Sequence, residues 1–495
     1  MPNKLDLLVG DATGGLSSAV FFDCPNVHHD AESEVVVMLS LTAPEVDVTQ
    51  KRPPLNIVAV VDCSTSMAGV KIVTARASIR KLVDHLGPND RLAIIGFHSS
   101  VFEVFPSARM DGTNKSVAYK KIDTLQPNGW TNFSAAMLQA FTEIKKVEGK
   151  AGCVNRIIMF TDGEPSQGVT EPAAILSMLE KALIPEISVS TFGYGKDSAP
   201  ELLSEMAKRG KGNFFFVKEV EECAAMFGTE LGGLLGTYAQ NVKVTYTLSE
   251  GVTLVNVLDT AYTIKDNTIT VPDVLGGETK HLLLKVKLPK KGTAVCARPS
   301  RVVDFTIEYD SVSEARHRTA GEDGKINYVR RIGDASTTTT PEVQAQLDLL
   351  SAANALNKAK NLADQGDLDG ARNILRSARA TFDDHAHVYT TNLVADMSAF
   401  ESLMDSPVSY RAARSDLVAS SHAYTTSRTS GSARSQAMFS TSLQNDTRNA
   451  FDSDAVNLSM TGVDPVLPDV SPASGVDPLP APPARPARRP ILRPT

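Results

Sequence analysis

Two largely apolar, β-branched runs each lead into an aspartate: Leu55 to Val61 ends at Asp62, and Ile157 to Phe160 runs on to Thr161-Asp162. Runs of this kind are what parallel strands buried on both faces require, and in open α/β sheets the carboxyl ends of such strands open into ligand-binding loops. Both acids are therefore expected at one edge of one sheet. Between and after them the period becomes helical. Ile72, Ala75, Ile79, Leu82 and Leu86 share one helix face, and 91–97 reads as another buried strand. Helices over 132–147, 172–183 and 199–208 alternate with strands over 157–160, 187–192 and 214–217. The pattern predicts an α/β fold with a doubly wound, mostly parallel sheet.

The flanks have a period of two. Val242, Val244, Tyr246 and Leu248 alternate with polar residues, as do Val303, Phe305, Ile307 and Tyr309, which marks half-buried antiparallel strands. Leu282, Leu284, Val286 and Leu288 form a third, 263–271 reads as a hairpin turning at Asp266-Asn267, and 34–42 is strand-like. One strand pair alone is not stable. Residues 1–52 and 236–330 are thus expected to build one antiparallel β-sandwich into which the α/β domain, 53–235, is inserted. Residues 341–404 read as a helical hairpin, 341–365 and 368–382, with a third helix over 388–403 packed on it. From about 405 the composition shifts to Ser, Thr, Ala, Asn and Arg, then to a Pro-rich end over 464–495. That composition predicts disorder over 405–495, because it offers too little apolar surface to offset the ordering entropy. Pro482 to Pro490 reads as a spacer, with a polyproline ligand for a partner's aromatic groove as the alternative.

Three short segments supply oxygen atoms suited to a hard cation: Asp62-Cys63-Ser64-Thr65-Ser66, Trp130-Thr131-Asn132 and Phe160-Thr161-Asp162-Gly163. Mg²⁺ takes about six oxygens, usually one or two carboxylates with hydroxyls and waters. Asp62, Ser64, Ser66, Thr131 and Asp162 match that inventory. Two carboxylates offset the ion's charge and leave a position that a carboxylate from another molecule can take. Loop residues Trp130, Asn132 and Glu164 are the expected rim.

These segments resemble a von Willebrand factor type A domain with a complete metal-ion-dependent adhesion site, in which an Asp-x-Ser-x-Ser motif, a Thr from a second loop and an Asp from a third hold the ion. Phe192-Gly-Tyr-Gly195, Glu201-Leu-Leu203, Ala207 and Gly212 to Val217 are similar to the last strands and helices of that domain, so the resemblance covers about 53–235. It is strongest to the subgroup with the inter-α-trypsin inhibitor heavy chains and many bacterial and protist proteins. The resemblance implies an Mg²⁺ or Mn²⁺ cofactor and a function in binding proteins rather than in catalysis. Cys63 stands where many members have a small or apolar residue, and every ligand position is intact.

With 495 residues and 42% hydrophobic content, the chain is long enough for two or three domains. A net charge of −7 with both signs interleaved argues against nucleic acid as the main partner, since phosphate binding needs a concentrated basic face. Cys24, Cys63, Cys153, Cys223 and Cys296 lack zinc-site or disulfide-scaffold spacing, and read as reduced thiols in a cytoplasmic setting. No stretch approaches a membrane span, and 1–22 lacks the apolar core of a signal peptide. No nucleophile elbow, phosphate-binding loop or His-Glu-x-x-His helix occurs, and His28-His29 and His385-x-His387 read as solvated pairs. The expected function is a metal-dependent protein-interaction module, an intracellular adaptor or assembly factor. The alternative is a structural subunit of a larger particle, or a partner of an ATPase.

Overall fold

The computed structural model describes residues 15–46, 52–146, 153–195, 198–218, 222–258, 261–292, 298–312, 314, 316–430 and 432–460, with side chains to 451. The Pro-rich segment lies outside the described residues. Three strands come first: β1 (Ser17–Phe22), β2 (Asn26–His28) and β3 (Ser33–Thr42). An alternating unit follows: β4 (Leu55–Asp62), α1 (Val70–His85), β5 (Arg91–Phe97), β6 (Val101–Arg109), α2 (Gly112–Ile122), α3 (Phe133–Lys145), β7 (Val154–Thr161), α4 (Pro172–Ala182), β8 (Ile187–Tyr194), α5 (Pro200–Arg209), β9 (Lys211–Val217) and α6 (Glu222–Leu235). Eight further strands are β10 (Thr237–Leu248), β11 (Thr253–Val257), β12 (Thr263–Lys265), β13 (Thr268–Val271), β14 (Val274–Leu275), β15 (Thr279–Leu288), β16 (Ser300–Ser311) and β17 (Arg316–Val329). Six helices close the described chain: α7 (Pro341–Asp364), α8 (Leu368–Asp383), α9 (Thr390–Leu403), α10 (Pro407–Thr426), α11 (Ala433–Phe439) and α12 (Ser442–Met460).

The alternating unit forms one sheet in the order β6-β5-β4-β7-β8-β9, parallel except for β6 at the edge. β4 is buried along its whole length because both faces are covered. Leu55, Ile57, Ala59 and Val61 pack with α1, α2 and α6, whereas Val58 and Val60 pack with α3, α4 and α5. The doubly wound α/β expectation is met. The remaining strands make two sheets around a second core, β1-β3-β15-β11 against β12-β13-β10-β16-β17-β2. β3 supplies Val35, Val37 and Leu39 to that core and turns Val36 and Met38 outward against Val343 of α7. A sheet covered on both faces explains why this strand reads as a continuous apolar run.

Residues 407–426, 433–439 and 442–460 are helical, against the expectation of disorder from 405, while the part of that expectation over 461–495 lies outside the described residues. α10 is held at its start by Pro407 in the first turn and by Ser406, whose hydroxyl accepts from the Ser409 amide at 3.1 Å. It packs between α7 and α5, with Tyr410, Ala413 and Leu417 in the helical core and Val418 and Ala419 against the α/β core. Three of its hydroxyls are satisfied by helix backbone: Ser421 donates to Ala353 O at 3.2 Å, and Thr425 and Thr426 to Ser421 O and His422 O at 2.8 Å. His422 bonds Ser204 of α5 at 3.0 Å and is kept neutral by burial, its pKa pushed down to about 3. A Ser- and Ala-rich helix has the composition of a disordered segment, yet its small side chains allow two neighbours to approach closely. Deleting 406–495 should therefore lower the melting temperature by several degrees. In the full chain, hydrogen exchange should show protected amides across α10.

Six charged side chains join the three layers. Arg156 on β7 lies 3.7 Å from Glu230 of α6 and 3.5 Å from Asp273 in the sandwich. Arg428, just past α10, pairs with Glu278 at 3.1 Å and also bonds the Asp273 carbonyl, while Lys280 meets Glu278 at 2.7 Å. None of the six is more than 7% exposed, and the charges match in number. Burial alone would raise the Glu278 carboxyl; Arg428 and Lys280 override it and hold the pKa at about 2. Glu278→Gln should cost ~3 kcal/mol of stability in urea denaturation, since it leaves two buried cations without their partner. A carboxyl with a depressed pKa stabilises above its unfolded value of 4.5 and loses that contribution as pH falls toward 2. The gap between wild type and variant should narrow over the same window.

Candidate metal centre

Asp62 ends β4 and Thr161 ends its neighbour β7, so Asp62, Thr161 and Asp162 emerge together at the carboxyl edge of the sheet. Asp62 turns back on its own loop. Its Oδ1 accepts from the Ser64 amide at 2.7 Å, and its Oδ2 from the Thr161 hydroxyl at 2.6 Å. A single turn of 3₁₀-helix over Thr65–Met67 follows, and α1 begins only at Val70 after Gly69. Neither Asp62 nor Ser66 caps that helix. Ser66 instead shares its hydroxyl between Ser64 Oγ at 3.0 Å and Asp162 Oδ1 at 2.8 Å.

Backbone bonds lock the three loops together. The Asn128 amide donates to Cys63 O at 2.6 Å, and the Thr65 amide to Gly129 O at 3.1 Å. Gly129 has a φ of +67°, and a Cβ there would lie 2.6 Å from Ser99 Oγ, so only glycine fits. The amides of Ser166 and Gln167 both donate to Thr131 O, at 3.1 and 3.2 Å, which ties the third loop to the second. The hydroxyls converge at Gly163: a Cβ there would sit 3.5 Å from Ser66 Oγ and 3.7 Å from Thr131 Oγ1.

The electrostatics are one-sided. Asp62 and Asp162 are 0% and 1% exposed. Burial is the main reason that the Asp62 carboxyl is pushed up to about 6; the nearby Asp162 charge adds to it, and the bonds from Thr161 and Ser64 oppose it. Against these two acids stands one cation, Lys71 of α1, whose Nζ is 2.5 Å from Asp162 Oδ2. The residues present fit a hard divalent cation: two carboxylates short of positive charge and three hydroxyls, all oxygen donors. Asp62, Ser64, Ser66, Thr131 and Asp162 are the residues that would hold it.

Above them lies a groove of about 1070 Å³. Ser64, Ser66, Thr131 and Asp162 line it, Trp130 and Glu164 stand at its rim, and Glu201 and Arg414 form part of a further wall. Trp130, in the loop before α3, is 68% exposed. Asn132 does not reach the rim. It caps α3, accepting from the Ala135 amide at 3.4 Å, and donates to Ser99 O at 3.5 Å, the work its place at a helix start demands.

The histidine reading also needs correction. His385 Nδ1 and His387 Nε2 both lie 2.7 Å from Asp348 Oδ2, and the His387 side chain is only 3% exposed. The three could be taken for metal ligands. The Tyr389 amide, however, donates to His387 Nδ1 at 3.2 Å, which leaves the ring proton on Nε2, facing the carboxylate. A ligating Nε2 would need the opposite tautomer. This is a hydrogen-bonded staple between α7 and the α8–α9 loop. Lys71, Thr161, Ser99 and Ser166 are site residues that sequence reasoning missed. Thr161 was adjacent to a named ligand; the others belong to no spacing rule.

The von Willebrand factor type A domain family matches residues 56–229. Protein YfbK of Escherichia coli is 29% identical over 197 residues, 39% of this chain and 34% of YfbK. Inter-alpha-trypsin inhibitor heavy chain H4 of Bos taurus is 32% identical over 166 residues, 32% of this chain and 18% of that protein. The chain thus matches about a third or less of the length of these relatives. The solved von Willebrand factor type A structure from Catenulispora acidiphila aligns with a TM-score of 0.62 at 18% identity, over 80% of this chain and 91% of its own, so the shared fold extends past the α/β unit.

The raised Asp62 pKa fixes a sign. Without a cation its stabilising contribution is complete below the ordinary value of 3.8 and is lost as pH rises through about 6. Cation binding runs the other way, because it needs the carboxylate. Thermal shift with Mg²⁺ should show a rise in melting temperature at about pH 7.5 that has largely vanished by about pH 5.

Proposed function

We infer, from the premise that residues 56–229 are a von Willebrand factor type A domain, that the chain is a divalent-metal-dependent protein-interaction module. The ion is Mg²⁺ or Mn²⁺, held by Asp62, Ser64, Ser66, Thr131 and Asp162, and a partner protein completes its coordination with an Asp or Glu carboxylate. The observation that carries this reading is the convergence of three loops on two buried carboxylates beneath an open groove. A buried pair of acids with one basic neighbour is costly unless a cation joins it. The ion supplies positive charge to which a carboxylate is drawn.

The protein residues do the positioning. Thr161 and the Ser64 amide fix Asp62, Ser66 fixes Asp162, and the carbonyl of Thr131 anchors the loop that carries Glu164 and Ser166. Trp130 at the rim is the natural anchor for the partner, since exposed aromatic residues beside a specific contact are frequent hot spots. Binding rather than catalysis is supported by the same arrangement: the hydroxyls in the site face a cation position, and no imidazole bonds to them. No helix among the described residues is long and apolar enough to cross a membrane. Among the described residues, Cys24, Cys63, Cys153 and Cys223 form no disulfide, in keeping with a reducing, cytoplasmic setting and an adaptor role there.

Two measurements test this. With a dissociation constant near 0.1 mM, 1 mM Mg²⁺ should stabilise the wild type by about 1.4 kcal/mol, and Asp62→Ala should abolish the effect. Partners captured from native extract should be released by chelator and lost with Thr131→Ala, and Trp130→Ala should weaken capture by ~2 kcal/mol. Partners that stay bound in excess chelator would withdraw the reading.

A further inference from the structure

Lys71 is placed where an ordinary helix would not put it. It lies in the first turn of α1, where the helix dipole disfavours a positive charge. Its position makes sense through its partner. Nζ is 2.5 Å from Asp162 Oδ2, the Asp162 side chain is fully buried, and the Lys71 side chain is 31% exposed. The stem runs beside Gly195, at φ +75°, in the loop between β8 and α5: a Cβ there would make ordinary contact with Lys71 Cε at 3.6 Å and Nζ at 3.7 Å. Ser66 holds the other carboxylate oxygen of Asp162 at 2.8 Å. Both oxygens of one proposed ligand are thus already engaged by the chain itself.

We propose that Lys71 is the built-in counter-cation of this site, and that a divalent ion binds in exchange for the hold of Lys71 on Asp162. The inference rests on the metal-binding reading above and adds its regulation. An ammonium group and a divalent ion cannot both sit against Asp162 without repulsion in a buried setting. Metal entry therefore displaces Nζ toward the groove, which the side chain already partly faces. The exchange weakens binding of the bare ion, so the ion is held firmly only when a partner carboxylate is present to share it. It also keeps the buried acids partly neutralised between partners.

Isothermal titration of the full chain with Mn²⁺ tests the exchange. Lys71→Met should bind Mn²⁺ at least about tenfold more tightly than wild type, and Lys71→Arg should stay close to wild type. Lys71→Gln, which keeps a polar tip, serves as a second neutral variant should Lys71→Met fail to fold. In wild type, reductive methylation of Lys71 followed by mass spectrometry should increase when Mg²⁺ is added, because Nζ leaves its buried partner. Equal or weaker Mn²⁺ affinity in both neutral variants, with binding still lost in Asp62→Ala, would overturn the exchange and leave the metal site standing. Absence of Mn²⁺ binding in wild type and in every Lys71 variant would overturn both.

Discussion

The burial of β4 governs what happens at its end. The strand is hydrogen-bonded by β5 on one side and β7 on the other, and helices cover both faces, so Asp62 leaves the sheet with no route to water. A carboxylate in that position must be compensated by donors, by a proton or by a cation. The Ser64 amide and Thr161 hydroxyl meet part of the demand, and the raised pKa shows that they do not meet all of it. The loops around the site are arranged as that deficit requires. Each is pinned by backbone bonds to the next, which lets the hydroxyls of Ser66 and Thr131, from two separate segments, meet at Gly163 on the third.

Much of this was legible because the relevant signals are local. Strands buried on both faces leave uninterrupted apolar runs, and half-buried strands leave alternation, so the α/β unit and the surrounding sandwich could be read from residues such as Val58, Val60, Val242 and Val244. The candidate donors Asp62, Ser64, Ser66, Thr131 and Asp162 could be named because each follows or precedes a recognisable element. What could not be read depends on contacts between distant segments. Lys71 looks like any helical lysine until Asp162 is placed beside it. Asp348 and His387 are 39 residues apart, and only the return of the chain after α8 brings them together. α10 was missed for a compositional reason: serine and alanine count as weak evidence of order, although buried serine hydroxyls can be absorbed by helix carbonyls.

Docking of α10 gives the groove an unexpected wall. Arg414 reaches across to Glu201 of α5 at 2.6 Å and to Asp364 of α7 at 2.9 Å, and its guanidinium, with Tyr410, holds the Asp364 carboxyl down at about 2 against the effect of burial. Glu201 and Arg414 border the same groove as Trp130 and Glu164. The helical layer is therefore part of the surface that any partner at the candidate metal centre would meet. The isolated α/β unit would present a different rim, with Glu201 unpaired and α5 bare.

The junction between α6 and β10 has a mechanical meaning. Only Gly236 separates the end of the helix at Leu235 from the start of the strand at Thr237, and the Gly236 amide still bonds Gly232 O at 3.0 Å. β10 is in turn hydrogen-bonded to β13, β14 and β16. There is no slack in this connection. Tension applied to the α/β unit along α6 would pass directly into a strand that is laddered on both of its edges. A junction of one residue, hydrogen-bonded on its helical side, transmits load between the two units at this point, where a flexible hinge would absorb it.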